Sequence, residues 1–271
     1  MELVPTELVR RRMESLRFAT RAAAFAATTA GMLGVLEAEA RLRGPADADA
    51  VTSKWAGRWG RALLRIFGIR LQAGGPHIEK GRRYPGTGPD GIGRLFVMNH
   101  RSGMDIPVTL ASVDARVVSR ADLAGWPLIG PAARRAGALF VDRDSKQSST
   151  KVLWEISRSL RHGQAVALYP EGTSFPDDEV RPFRAGAFVA ARRSGAPVVP
   201  LGIAYADPRT AYWHESFLGH VRRVAAMRTI EVALEAGEPI PSRGRRVEEL
   251  CEEVQAAVQA LVRRARARLL A

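Results

Sequence analysis

The sequence predicts an α/β protein, with a mixed, largely parallel sheet flanked by helices and a helical region in front of it. Three observations carry this. From Ile69 onward, short apolar runs alternate with longer stretches of helical periodicity. Before Ile69 the patterning is helical. At the other end, Val247, Leu250, Val254, Val258 and Leu261 step by three or four residues and mark a long helix over Arg246–Leu270. The chain accordingly divides into an N-terminal helical region, 1–68, and an α/β domain, 69–271. Its 271 residues with 46% hydrophobic content suffice for a sizeable core and exclude a mostly disordered protein.

The first candidate element is Ala22–Leu36, 15 residues without a charge between Arg21 and Glu37. As a helix it is roughly 22 Å long, short of the ~30 Å hydrocarbon core. Arg10–Arg12 and the cleavage-like Ala38-Glu39-Ala40 give it some signal-peptide character, but Glu2, Glu7 and Glu14 in the leading region oppose that reading. "GPADAD", Gly44–Asp49, breaks the pattern as a linker. In "SKWAGRWGRALLRIFGI", Lys54, Arg58, Arg61 and Arg65 recur at spacings of four, three and four, and Trp55, Trp59, Ala62 and Ile66 repeat them one residue later. Adjacent basic and tryptophan-bearing apolar stripes suit a helix lying in a membrane interface. A helix docked on the protein's own core fits the same periodicity. The apolar stretch before it favours membrane contact, and an anionic membrane surface is the expected partner.

The strands follow as Ile69–Ala73, Arg94–Asn99, Arg116–Ser119, Ala138–Arg143, Ala165–Tyr169, Val198–Tyr205 and Thr229–Leu234. The helices between them are Ile106–Val113, Pro127–Ala136, Gln147–Arg161 and Phe183–Arg193. Gly81–Gly93 is a loop. It contains a G-x-G-x-x-G match, Gly86–Gly91, but these glycines precede a strand and enclose Pro89, whereas a dinucleotide site needs them between a strand and a helix.

Net charge is +13 at a pI near 11.0, and all of the 41 basic residues except Lys54, Lys80, Lys146 and Lys151 are arginine. An anionic partner is implied. Nucleic acid is not expected, because no helix-turn-helix, zinc or aromatic-sheet signature accompanies the charge. The single Cys251 excludes an internal disulfide and zinc sites built from cysteine pairs, and no Cys/His spacing suggests another metal.

Polar chemistry collects at the ends of the predicted strands. "NHRSGMD", Asn99–Asp105, puts a histidine five positions before an aspartate where a strand gives way to a helix. Asp105 there either caps the helix or holds His100 in one tautomer as a general base. "GALFVDR" ends a strand at Asp142 and Arg143. "PEGTS" follows Tyr169, and "APVVPLGIAY" carries two prolines into the strand ending at Tyr205.

In order and interval these four blocks resemble those of the phospholipid/glycerol acyltransferase family, typified by 1-acylglycerol-3-phosphate acyltransferases, over about residues 94–205. The resemblance implies the glycerol-phosphate acyltransferase fold. It also implies O-acyl transfer from acyl-CoA or acyl-carrier protein to the hydroxyl of a lysophospholipid, giving phosphatidic acid from 1-acylglycerol-3-phosphate. No cofactor or metal is expected, and the location is the cytoplasmic face of the cell membrane. By analogy His100 is the base and Asp105 its orienter, with a backbone donor at Gly103 available to an oxyanion. Arg143 binds acceptor phosphate, while Glu171, Gly172 and Thr173 shape the acceptor site. One departure stands out: the third block usually ends in arginine, and here the position is Ser174. Arg181 and Arg184 in "VRPFRAGAF" are the compensating cations. Alternatively the acceptor is another lyso-lipid, such as lyso-ornithine lipid. A serine hydrolase would need a G-x-S-x-G elbow, which the chain lacks.

The N-terminal pattern makes its own prediction. Native protein sediments with membranes. Recovery of nearly all of it as soluble protein before any wash contradicts membrane association, while release by salt alone assigns the contact to charge.

Overall fold

A computed structural model describes residues 4–78, 81–142, 145–212 and 214–271. Helix α1 (Val4–Arg43) and helix α2 (Ala48–Phe67) are separated by a 3-10 turn at Pro45–Asp47, within the expected linker. There follow β1 (Ile69–Gly74), β2 (Leu95–Met98), α3 (Asp105–Ser112), β3 (Arg116–Arg120), α4 (Ile129–Arg135), β4 (Leu139–Val141), α5 (Lys146–Arg161), β5 (Val166–Leu168), α6 (Gly186–Ser194), β6 (Val198–Tyr205), α7 (Phe217–Ala226), β7 (Ile230–Ala236) and α8 (Val247–Leu270). All seven predicted strands form. Of the helices, α7 is the one the periodicity did not announce, although Ser216 caps it by accepting the Gly219 N–H.

The sheet order is β1-β7-β6-β2-β5-β3-β4, and every neighbouring pair is parallel except β6–β7. Strands β2, β5 and β6 sit in the middle and are buried along their whole length, which explains their unbroken apolar runs. Successive β2 side chains serve opposite layers: Phe96 and Met98 join the core under α2, α3 and α7, whereas Leu95 and Val97 join the core under α5, α6 and α8. The Gly86–Gly91 loop holds no nucleotide cradle. Arg94 Nη1 of the following segment is bound by the carbonyls of Pro85 and Thr87.

The first two helices are joined to this frame. Ala56, Leu63 and Phe67 of α2 belong to the sheet's own core. The two tryptophans turn toward α1, where Trp59 Nε1 donates to Thr29 Oγ1 (2.9 Å) and Trp55 Nε1 donates to Glu39 (2.7 Å). The stripe thus packs on the protein's own core and on α1, as the docked alternative has it, with both tryptophans partly buried. Exposed apolar surface lies instead on α1, at Leu8, Val9, Met13, Leu16, Val35 and Leu42. The helical coil of α1 extends well past the 15 uncharged residues, and by length and composition it is long and apolar enough to cross a membrane. Arg17 and Arg21 of α1 donate to the carbonyls of Ala225, Ala226, Met227 and Arg228, satisfying the C-terminal end of α7.

The central strand meets α8 at a glycine. A Cβ on Gly202 would stand 2.4 Å from the backbone of Leu261 and Val262. Gly202→Ala must push α8 off β6 and should lower stability by about 1–3 kcal/mol, read from chemical denaturation. An unchanged midpoint would contradict this packing.

Candidate active site

The site is assembled at the carboxyl ends of β2, β5 and β6, where parallel α/β sheets leave a crevice. Asn99 fixes the exit of β2: its amide donates to the Ile203 carbonyl (3.0 Å), and its Oδ1 accepts the Ile203 N–H (2.9 Å), prolonging the β2–β6 pairing beyond Met98. The chain then turns into α3 and brings Asp105 back beneath His100.

Four donors converge on the wholly buried Asp105 carboxylate. His100 Nδ1 and the Arg101 N–H each lie 2.7 Å from Oδ2, the Ser102 N–H lies 3.0 Å from it, and the Tyr205 hydroxyl donates to Oδ1 at 2.6 Å. With Nδ1 donating, the lone pair of neutral His100 is on Nε2, which has no hydrogen-bond partner among the described residues. The ring stacks on Tyr169, centroids 4.3 Å apart, and the Tyr169 hydroxyl is 2.9 Å from Thr109 Oγ1. Burial, reinforced by the charge of Asp105, drives both the Tyr169 and Tyr205 phenols well above their usual range, so both stay protonated. Asp105 is the first residue of α3, but its carboxylate takes no N–H of that helix, so the histidine-partner alternative describes it and the capping one does not.

The two oxygens of Glu171 accept the His100 N–H (2.7 Å) and the Arg181 N–H (3.0 Å), so it clamps the end of β2 to the segment after the third block. Burial raises its pKa, opposed by those two backbone donors and by the charge of Arg101. Arg101 is buried too, donating to the Phe175 carbonyl, and burial lowers its pKa while Glu171 and Asp178 hold it up. Beside it, at the end of β6, a polar cavity of about 320 Å³ is lined by Asp177, Asp178, Asp207 and Arg266.

Gly172 has φ +80°, a backbone only glycine adopts easily, and a Cβ there would meet the Arg184 guanidinium at 2.5 Å. Thr173 is exposed and Ser174 half-buried beside it. Arg181 is committed to acids, pairing with Asp177 at 2.8 Å and with Glu179. Arg184 is exposed and pairs with no carboxylate among the described residues. Arg143 lies outside the described residues.

The Gly103 N–H, the oxyanion donor expected from the sequence, is already taken: it donates to His220 Nε2 at 3.0 Å. His220, on α7, was not singled out in the sequence, nor were Tyr169 and Tyr205 beyond their positions at strand ends. Gly103 and Met104 also line an apolar cavity of about 350 Å³, together with Phe25, Met32 and Leu33 of α1, Trp59 of α2, and Phe217 and Leu218 of α7. Residues of α1, α2, α3, β3, α4 and α7 build that cavity, so no local motif could reveal it. Among the described residues no cluster of His, Cys, Asp and Glu suits a metal ion.

Burial, with the nearby Arg223 charge, pushes His220 down to about 4, against the opposing charges of Glu215 and Asp105. An unfolded histidine titrates near 6.5, so the folded state loses up to about 3 kcal/mol as pH falls from about 6.5 to 4. His220→Gln should flatten this part of the stability–pH curve in chemical denaturation. An identical curve in both proteins would contradict it.

Residues 85–204 match the family model described as Acyltransferase. Lyso-ornithine lipid O-acyltransferase of Pseudomonas aeruginosa is 31% identical over 171 residues, covering 61% of this chain and 66% of that protein. The Rhizobium meliloti protein of the same name is 30% identical, covering 59% and 51%. A 1-acyl-sn-glycerol-3-phosphate acyltransferase of Neisseria meningitidis is 28% identical, covering 55% and 54%. This chain thus spans about half to two thirds of the length of these relatives. The crystal structure of PlsC, the 1-acyl-sn-glycerophosphate acyltransferase of Thermotoga maritima, superposes with a TM-score of 0.70 at 23% identity, covering 96% of this chain and 97% of that one, and so shares its fold. Residues 85–204 are thus a domain of the acyltransferase family.

Proposed function

We propose that the protein is an O-acyltransferase that moves a fatty acyl group from the thioester of acyl-CoA or acyl-carrier protein to the hydroxyl of a lysolipid. The observation that carries this is the juxtaposition of the His100–Asp105 pair, its carboxylate wholly buried, with an apolar cavity lined by Gly103 and Met104 of the same turn. A fatty acyl chain fits such a cavity, and burying it there holds its carbonyl beside the base.

In the proposed step His100 Nε2 takes the proton of the acceptor hydroxyl as that oxygen attacks the thioester carbonyl. Asp105 keeps Nδ1 protonated and stabilises the imidazolium that results. The tetrahedral intermediate collapses by breaking the C–S bond, and the imidazolium proton passes to the leaving sulfur. The new bond is an oxygen ester and the histidine returns neutral. No acyl-enzyme forms.

The 1-acylglycerol-3-phosphate acceptor is supported by the motif order and by a relative with that name. A lyso-ornithine-type acceptor is a second reading. It is favoured by Ser174 in place of arginine and by the pairing of Arg181 with Asp177 and Glu179, which leaves Arg184 as the unpaired guanidinium beside Gly172. Two relatives also carry that substrate in their names. The apolar face of α1 supports work at a membrane surface, on the cytoplasmic side where these acyl donors are found.

His100→Ala should cost about 10²–10⁴-fold in kcat, the usual share of a general base. Purified protein with labelled acyl-CoA and a panel of lysolipids, read by product mass, tests both parts. Near-normal turnover by folded His100→Ala removes the base assignment. Acylation of lyso-ornithine lipid in preference to lysophosphatidic acid decides for the second acceptor.

A further inference from the structure

We propose that His220 is a positioning residue for acyl transfer: its Nε2 holds the Gly103 N–H, and thereby the turn that joins the His100 base to the acyl cavity. The proposal rests on the acyl-transfer reading of His100.

The turn between β2 and α3 has four consecutive backbone donors, and a side chain meets each of them. The Arg101 and Ser102 N–H groups go to Asp105, the Met104 N–H goes to Ser102 Oγ (3.2 Å), and the Gly103 N–H goes to His220 Nε2 (3.0 Å). Asp105 and Ser102 belong to the turn itself. His220 reaches it from α7, 117 residues away in sequence, and is wholly buried. An unmet N–H in this partly buried turn loses water without gaining a partner, which favours other arrangements of the turn.

Nε2 accepts from Gly103, while Nδ1 on the other side of the ring faces Arg223 Nη2 at 3.2 Å and Glu215 at 3.4 Å, two groups that are themselves ion-paired. Ser102 Oγ lies 3.1 Å from the same Nε2. Glu215, His220 and Ser102 therefore have the order of a nucleophile relay, but two features oppose that use. Ser102 is fully buried, and the Nε2 lone pair that would take its proton already accepts the Gly103 N–H.

Helix α7 makes the arrangement more than local support. Its Phe217, Leu218 and Val221 line the apolar cavity, and Arg17 and Arg21 of α1 bind its C-terminal carbonyls. The fit is tight, because a Cβ on Gly103 would stand 3.2 Å from the Phe217 ring and 3.3 Å from His220 Cδ2. The wall of the cavity and the catalytic turn are thus tied at one hydrogen bond.

Three variants test this in acyl-CoA-dependent acylation of a lysolipid. His220→Leu removes the acceptor, and kcat should fall about 10–100-fold, the penalty for a displaced base, with little change in acyl-CoA KM. His220→Gln keeps an uncharged acceptor and should recover most of the lost rate. Hydrogen exchange at Gly103 should accelerate in His220→Leu and remain slow in His220→Gln. Should the leucine variant not fold, His220→Asn, too short to reach Gly103, takes its place. A folded acceptor-less variant with wild-type kcat, or with unchanged Gly103 exchange, overturns the proposal. So does a fluorophosphonate adduct on Ser102, which would mark it as a nucleophile. Wild-type protein inactive on thioester and lysolipid overturns the acyl-transfer reading and the catalytic part of the proposal with it.

Discussion

The carboxylate of Asp105 is the point at which the layers of this molecule meet. It is wholly buried, and its donors come from the end of β2, from the turn that leads into α3 and from the end of β6. An isolated carboxylate in such a place is prohibitively costly, so its four hydrogen bonds are a condition of the fold as much as of the chemistry. The same condition places Tyr205 beside it and therefore fixes where β6 ends. It also explains why β2 needs Asn99 to continue the β6 pairing: a shift of one residue there would turn His100 to the opposite face of the sheet.

Around that carboxylate the environment is divided. On one side is the apolar cavity built by α1, α2, α3, β3, α4 and α7; on the other are Arg101, Glu171, Asp177 and Asp178, and a polar cavity at the end of β6. Transfer of a fatty acyl group to a polar-headed acceptor needs such a boundary, with a base at it. In the proposed reaction the apolar side would keep water from the thioester and the polar side would present the hydroxyl. Helix α1 both lines the apolar cavity and exposes a row of large aliphatic side chains.

Much of this was legible in the sequence. Buried parallel strands leave unbroken apolar runs, and all seven strands were found because their periodicity is local. His100 and Asp105 were found because turn geometry brings residues five apart together. For Trp55 and Trp59, periodicity defines a stripe without saying what it packs against; α1 meets both indoles here. Glu171 was placed in the right region, but its grip on the His100 and Arg181 backbone depends on a loop that crosses the end of β2. His220 was invisible for a related reason. It acts through one acceptor atom across a distance that no motif spans.

The central claim is that Asp105 orients His100 for direct acyl transfer. Asp105→Asn tests it most directly, since the shape is kept while the charge and the tautomer it enforces are lost. Single-turnover acyl transfer from acyl-CoA to a lysolipid should slow by roughly 10³–10⁴-fold in a protein that still folds. Transfer within about tenfold of wild type would contradict the account.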